Sequence, residues 1–202
     1  MRGVALAVGV GVCPASADVG QFGWLDQARS FFSATQVVTL NRLPPPDFTS
    51  FLPPQDGLTE AWLMAQPVPE GDEQWQCLKE AIYFEARGEN LMGQIAVAEV
   101  ILNRVDSPLY PGTVCGVVKQ RGGGGCQFSY VCDGYADRMG EKDAADLAGR
   151  IARAMLDGAP RYFTDGATHF HTRGVSPGWA KTFPKTAAIG AHLFYRQPDT
   201  RG

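Results

Sequence analysis

The chain has 202 residues, a formal net charge of −3 at pH 7 and 45% hydrophobic residues. This length suits one globular domain with additional segments, and this hydrophobic content excludes a chain that is disordered throughout. The slightly acidic balance lacks the basic surface with which proteins bind nucleic acid, so we expect no nucleic-acid partner.

Residues 1–17 have the pattern of a secretory signal peptide. Arg2 precedes an apolar run at 3–12, and the sequence A-S-A that ends at residue 17 fits a cleavage site. The apolar run is too short to anchor the chain across a bilayer, and Val12 is the wrong residue type before a lipidated cysteine. A buried N-terminal strand is the alternative. We predict an exported protein of the periplasm or cell envelope, with no stable membrane span after cleavage.

Residues 18–72 are predicted to form a Pro-rich, acidic linker or arm. Proline fixes φ and removes a backbone donor, so runs such as 44–46 disfavour regular structure. A short helix at Thr59–Ala65 is compatible with the pattern. We expect the compact domain to occupy 73–197, followed by a tail at 198–202.

Three helices are predicted within this domain, at Trp75–Ala86, Leu91–Val105 and Lys142–Asp157. The second is apolar around most of its circumference, which is typical of a central, buried helix. Thr168–Thr172 and Ala191–Arg196 alternate in the manner of strands. The predicted fold class is α+β, mostly helical with a small β element.

Glu85 is the leading candidate for a catalytic residue. Leu78, Ala81 and Ile82 form an apolar stripe on the first helix, and Glu85 continues that stripe one turn later. A carboxylate in that register is poorly solvated, which raises its pKa and keeps it protonated near neutral pH. Cleavage of a glycosidic bond needs such a general acid. The alternative is a solvated helix end that pairs with Arg87.

Two other glutamates are weaker candidates. Glu89 lies beyond the predicted helix end, where it is either structural or a secondary catalytic residue. Glu99 lies on the buried second helix, and we expect it to pair with an arginine.

The segment 126–132, C-Q-F-S-Y-V-C, combines an amide, a hydroxyl and aromatic rings. Such groups suit an oligosaccharide, because amides and hydroxyls bind sugar polar groups and rings pack on apolar sugar faces. An ordinary disulfide loop is the alternative. With two residues nearer the C-terminus, the candidates for substrate binding are Gln127, Phe128, Ser129, Tyr130, His171 and Trp179.

His169 and His171 would share one face of a strand, which has a period of two. They could hold zinc or assist a cysteine nucleophile, but the metalloprotease motif H-E-x-x-H does not occur. We favour histidines that line a sugar cleft or pack in the domain, and we expect neither a metal nor another cofactor.

Removal of residues 1–17 would leave four cysteines, Cys77, Cys115, Cys126 and Cys132. An even number suits two disulfides in an oxidising compartment, and three pairings are open. Cys126 and Cys132 flank a compact loop, so we favour that bond together with Cys77–Cys115. A Zn(Cys)4 site is the rival, although no C-x-x-C pair occurs.

Several motifs together resemble a known family. They are E-A-R-G-E, G-Q-x-A-V-A-x-V-I-L-N-R-V, P-x-T-V-C-G-V-V, C-Q-F-S, V-S-P-x-W-A and I-G-x-H-x-F-Y, spread over residues 75–196. The chain is similar in these motifs to the cell wall hydrolases of the spore-cortex-lytic-enzyme type. The resemblance implies a lysozyme-like fold for 73–197 and one essential glutamate, the first of E-A-R-G-E, which is Glu85. We recognise no N-terminal peptidoglycan-binding repeat, in which the chain departs from the spore enzymes.

The resemblance implies an enzyme that cleaves peptidoglycan glycan strands between N-acetylmuramic acid and N-acetylglucosamine, as a lytic transglycosylase. A hydrolytic muramidase is the first alternative. A peptidase or amidase that uses Cys126 or a metal with His169 and His171 is the second. A wall-binding module without catalysis is the third.

Overall fold

The structure is a computed structural model that describes residue 54 and residues 57–122 and 125–199, all within one compact unit of the chain. The predicted signal peptide and most of the predicted arm lie outside the described residues. The described residues form five α-helices, two short 3-10 helices and two antiparallel sheets. The α-helices are α1 (Glu60–Ala65), α2 (Glu73–Ala86), α3 (Leu91–Asp106), α4 (Val114–Val118) and α5 (Lys142–Leu156).

Helix α2 begins at Glu73, two residues before the predicted start at Trp75. The Asp72 carboxylate accepts a hydrogen bond from the backbone N–H of Trp75 at 3.0 Å, and Glu73 lies in the first turn, where a negative charge complements the helix dipole. The stripe of Leu78, Ala81 and Ile82 is fully buried, each residue being 0% exposed. The predicted register of this helix is therefore confirmed.

Helix α3 is the central helix of the domain. Asn90 caps it by accepting a hydrogen bond from the N–H of Gly93 at 2.9 Å. Nearly every residue along its first three turns is buried, as its apolar circumference predicts. The buried residues are Gly93, Gln94, Ile95, Ala96, Val97, Ala98, Glu99, Val100, Ile101 and Arg104.

Helix α5 packs against α2. The indole Nε1 of Trp75 donates a hydrogen bond to the carbonyl of Gly149 at 2.9 Å, which ties the two helices together. Helix α1 packs on α5 and contributes Leu63, which is 0% exposed, to the same core. The domain start at residue 73 stays a prediction, but a core side chain comes from within the segment assigned to the arm.

The larger sheet has the order β3 (His169–Thr172), β5 (His192–Tyr195), β4 (Lys185–Ile189), and both pairings are antiparallel. Strands β3 and β5 match the two predicted strands, whereas β4 was not predicted. A minimal hairpin joins β1 (Arg121–Gly122) to β2 (Gly125–Cys126).

The architecture is α+β and mostly helical, in agreement with the predicted fold class. No helix in the described part of the chain has the length and apolarity needed to cross a bilayer.

Candidate active site

Glu85 lies in the last turn of α2 and lines a cleft of about 320 Å³. Its side chain is half-buried, and burial raises the pKa of its carboxyl to about 6. Among the described residues, none forms a hydrogen bond or ion pair with this carboxyl group. Glu85 therefore keeps its proton to a higher pH than an ordinary carboxyl group does, and the proton is not committed to a protein acceptor.

The part of the helix that carries Glu85 is held in place on two sides. The helix face below it is buried, and the last turn is held from outside by a contact with the start of α5. There the Tyr83 hydroxyl accepts a hydrogen bond from the N–H of Glu141 at 3.1 Å, and Arg87 forms an ion pair with the Glu141 carboxylate at 2.9 Å. Because the helix end is held in this way, the acid is presented to the cleft from a rigid element.

The walls of the cleft come from segments that are distant in sequence. Helix α2 supplies the acid and α3 supplies an arginine. The remaining walls are the loop after β2, strand β3 and the 3-10 helix Gly178–Lys181. The lining residues are Glu85, Arg104, Gln127, Phe128, His169, Phe170 and Trp179. Glu85 is the only carboxylic acid among these described lining residues.

Arg104 is the residue that the sequence analysis missed. It is 1% exposed, and its Nε donates a hydrogen bond to the carbonyl of Thr168 at 2.5 Å. Burial lowers its pKa to about 10, so the guanidinium remains a cation at neutral pH. An arginine on a helix apolar around most of its circumference was the available signal, since a buried cation has to be compensated by its surroundings.

Four of the predicted binding residues come from the loop after β2, and the structure divides them. Gln127 and Phe128 line the cleft, whereas Ser129 is exposed and is not among the lining residues. Tyr130 is 7% exposed and stacks on Phe84 with ring centroids 4.6 Å apart. Of these four predicted binding residues, only Gln127 and Phe128 therefore line the cleft.

The Tyr130 hydroxyl is buried, and no described residue forms a hydrogen bond with it. Burial raises the pKa of this phenol first, and the negative charges of Glu80, Glu85 and Asp137 raise it further. The Tyr130 side chain is thus a neutral phenol, and the charge of Glu85 contributes to its raised pKa.

His169 and His171 share one face of β3, as the strand period predicts, and both rings contact Trp179, at 4.8 and 5.6 Å between centroids. Of these three residues, His169 and Trp179 line the cleft and His171 does not. Burial, and then the charge of Arg104, lower the pKa of His169 to about 4. The imidazole in the cleft is therefore neutral at neutral pH.

Both ring nitrogens of His171 have protein partners. Nδ1 lies 2.8 Å from the carbonyl of Thr172, and Nε2 lies 3.2 Å from the Tyr195 hydroxyl. This arrangement supports a packed histidine rather than a ligand or a substrate contact.

Glu89 does not line the cleft. Its carboxylate accepts a hydrogen bond from the N–H of Ala191 at 3.1 Å and lies 3.5 Å from Nδ1 of His192. Of the two roles open for this residue, these contacts favour the structural one.

The prediction that Glu99 pairs with an arginine is wrong. Its carboxylate, in a residue 1% exposed, accepts hydrogen bonds from three consecutive backbone N–H groups at 2.9 to 3.1 Å and from the Thr164 hydroxyl at 2.7 Å. Backbone donors compensate a buried carboxylate as well as a cation does. The three N–H groups belong to Tyr162, Phe163 and Thr164.

The favoured disulfide pairing is confirmed. Cys77–Cys115 joins α2 to α4 with Cα atoms 5.3 Å apart, and Cys126–Cys132 closes the loop that carries Gln127 with Cα atoms 5.9 Å apart. With Cys126 in a disulfide, the structure holds no thiol there to act as a nucleophile.

The chain is similar to proteins of known name. Residues 88–195 match the sequence model of a family described as Cell Wall Hydrolase. The spore cortex-lytic enzyme of Halalkalibacterium halodurans is 35% identical over 134 residues, which cover 64% of this chain and 37% of that protein. The spore cortex-lytic enzyme of Oceanobacillus iheyensis is 36% identical over 131 residues, with 63% and 44% covered. The chain thus spans less than half the length of these curated relatives.

A solved structure is also similar. The catalytic domain of the germination-specific lytic transglycosylase SleB from Bacillus anthracis is 32% identical, with a TM-score of 0.50. The similarity covers 65% of this chain and 100% of that domain.

Proposed function

Because this chain belongs to the cell wall hydrolase family, we propose that it cleaves peptidoglycan glycan strands at the β-1,4 bond between N-acetylmuramic acid and N-acetylglucosamine. One observation carries the proposal: a carboxyl group with a pKa raised to about 6 lines a cleft with polar and aromatic walls. That combination supplies a proton to a leaving glycosidic oxygen and provides surfaces on which sugar rings pack.

In the proposed reaction, Glu85 first donates its proton to the glycosidic oxygen as the bond from C1 of the muramic acid to that oxygen breaks. The resulting carboxylate then takes the proton of the C6 hydroxyl of the same sugar. The C6 oxygen bonds to C1, which closes a 1,6-anhydro ring and returns Glu85 to its protonated form. No water is consumed, and one carboxyl group acts in turn as acid and base.

Hydrolysis by a muramidase is the less favoured outcome. An inverting mechanism needs a second carboxylate about 6.5–9.5 Å from the acid, and a retaining mechanism needs one about 5–5.5 Å away. The described residues that line the cleft include no carboxyl group besides Glu85. This supports the transglycosylase.

The other functional classes gain less support. A peptidase or amidase based on Cys126 would need a free thiol where the structure has a disulfide. A wall-binding module without catalysis would not account for the raised pKa of Glu85, since binding does not need a buried acid. Family membership supports export, and we propose that the mature enzyme acts in the periplasm or cell envelope.

Mass spectrometry of purified sacculi after digestion tests the proposal. The expected products are muropeptides with 1,6-anhydro ends, which are absent after digestion with Glu85→Gln. Glu73→Gln is the matched control, because it removes an exposed carboxylate from the first turn of the same helix and should give wild-type products. Reducing ends would support the muramidase, and cut peptides without cut glycan would contradict the proposal.

A further inference from the structure

Arg104 and Gln127 contact each other in the wall of the cleft. With its amide oriented so that the oxygen faces the guanidinium, Gln127 accepts hydrogen bonds from both terminal nitrogens of Arg104, at 3.2 and 3.3 Å. A guanidinium has only donors, so the oxygen end of the amide has to face it. The NH2 group of Gln127 therefore points away from Arg104.

Arg104 is held more firmly than the amide it contacts. Its Nε–H is used by the Thr168 carbonyl, and the rings of Tyr110 and Phe128 lie 5.3 and 5.8 Å from its guanidinium carbon. Among the described residues, no carboxylate forms an ion pair with it. The buried cation thus orients a neutral amide rather than neutralising an acid.

Gln127, by contrast, is exposed at the cleft. No described residue accepts a hydrogen bond from its NH2 group. A donor of fixed orientation, with its acceptor end already occupied, selects a ligand that offers a lone pair. Hydroxyl groups can pair with either end of an amide, whereas a carbonyl oxygen can pair only with the NH2.

We propose that Arg104 is a positioning residue that fixes the Gln127 NH2 as a donor to the N-acetyl carbonyl of a sugar bound in the cleft. The inference rests on the proposed function and identifies the group on the glycan that this wall recognises. The ring of Trp179, which lines the same cleft and is partly exposed, offers an apolar surface to the acetyl methyl group. Specificity for N-acetylated glycan then depends on a buried arginine that acts through Gln127.

The first variant is Gln127→Glu, which keeps an oxygen acceptor for Arg104 but replaces the NH2 donor by a second acceptor. On peptide-free, N-acetylated glycan oligomers we expect KM to rise about tenfold, the loss of roughly one hydrogen bond, with kcat little changed. On the same oligomers after chemical de-N-acetylation, the KM of wild type should rise by a similar factor. The KM of the variant should not rise further.

The second variant is Arg104→Lys, which keeps the positive charge but loses the forked contact to the amide. It should reduce the discrimination between acetylated and de-N-acetylated oligomers while the melting temperature shows that the domain is folded. A merely structural role would lower activity on both substrates alike. If this variant does not fold, the Gln127→Glu comparison decides alone.

The proposal is overturned if Gln127→Glu binds N-acetylated oligomers as wild type does, or if its KM rises equally on the acetylated and the de-N-acetylated oligomers. Oligomers that still carry stem peptides separate the two sources of amide carbonyl. A difference between wild type and variant that disappears when the peptides, rather than the acetyl groups, are removed would also overturn it. Failure of the proposed function is distinguishable, because wild type would then cleave none of these glycans.

Discussion

Glu89 accepts a hydrogen bond at 3.1 Å from the backbone N–H of Ala191, which joins the α2–α3 junction to the β4–β5 turn. Gly190 approaches the same carboxylate so closely that a Cβ atom would lie 1.8 Å from Oε2, and its φ is +56°. A glutamate only one turn beyond the candidate acid therefore fastens the sheet to the helices.

Glu89→Gln should leave kcat/KM on glycan nearly unchanged and lower the free energy of unfolding by about 1 kcal/mol, because a charge-assisted hydrogen bond becomes a neutral one. Gly190→Ala should be more destabilising, because it would place a Cβ atom on a left-handed backbone and in steric conflict with the Glu89 carboxylate. Urea denaturation and a glycan-release assay measure the two effects. A loss of activity for Glu89→Gln as large as that for Glu85→Gln would restore Glu89 to the mechanism.

Glu85→Gln should reduce glycan cleavage by at least about 10²-fold, the usual contribution of general acid–base catalysis. In the wild type, kcat/KM should fall as pH rises through about 6, because the acid must hold its proton to donate it and burial raises its pKa to about 6. Initial rates on soluble glycan at constant ionic strength give the profile. A flat profile across this region, or full activity in folded Glu85→Gln, would exclude the residue as the acid.

The same substitution should stabilise the protein above pH 6. A pKa raised in the folded state means that the folded protein holds the proton more tightly, so wild-type stability is fully present below the unfolded pKa and is lost as pH rises through about 6. Gln cannot ionise, so relative to wild type the variant should gain up to about 2 kcal/mol between pH 4 and pH 7.5. Urea denaturation at both values measures this, and Glu73→Gln serves as control. An equal difference at the two pH values would contradict the burial of this carboxyl.

Disulfide bonds should account for all four cysteines of residues 77–132. Mature protein denatured without reductant should show no free thiol, and replacing Cys77 and Cys115 by Ser should cost roughly 2–4 kcal/mol. Thiol titration and thermal denaturation measure these outcomes. Four titratable thiols in protein purified without reductant would contradict the pairing.

The sequence predicted the three long helices and the register of Glu85 because 3.6-residue periodicity reports which face of a helix is buried. It did not reveal Arg104 or the partner of Glu99, since their partners come from residues 127 and 162–168, brought near only by the fold. Strand β4 was missed because K-T-A-A-I lacks both alternation and β-branched side chains at most positions. Helix α4 is too short, at five residues, to display a period.

Leu63 provides a test of where the folded domain begins. From sequence we expect a chain starting near Gly71 to fold and to cleave soluble glycan. Because Leu63 is 0% exposed, Leu63→Ala should lower the free energy of unfolding by about 2–5 kcal/mol, and removal of residues before 71 should cost at least as much. Melting temperatures of three proteins, mature, starting at 58 and starting at 71, locate the boundary. Equal stability of the last two would show that α1 is dispensable.

The order in which the cleft residues occur along the chain determines when the complete cleft can form during synthesis. Glu85 is synthesised early, but the wall that carries His169 and Trp179 comes from the last part of the described domain. A nascent or truncated chain that ends before residue 169 has the acid and half a cleft, so it cannot enclose a sugar. The proposed glycan cleavage can therefore arise only after the chain has been synthesised through Trp179.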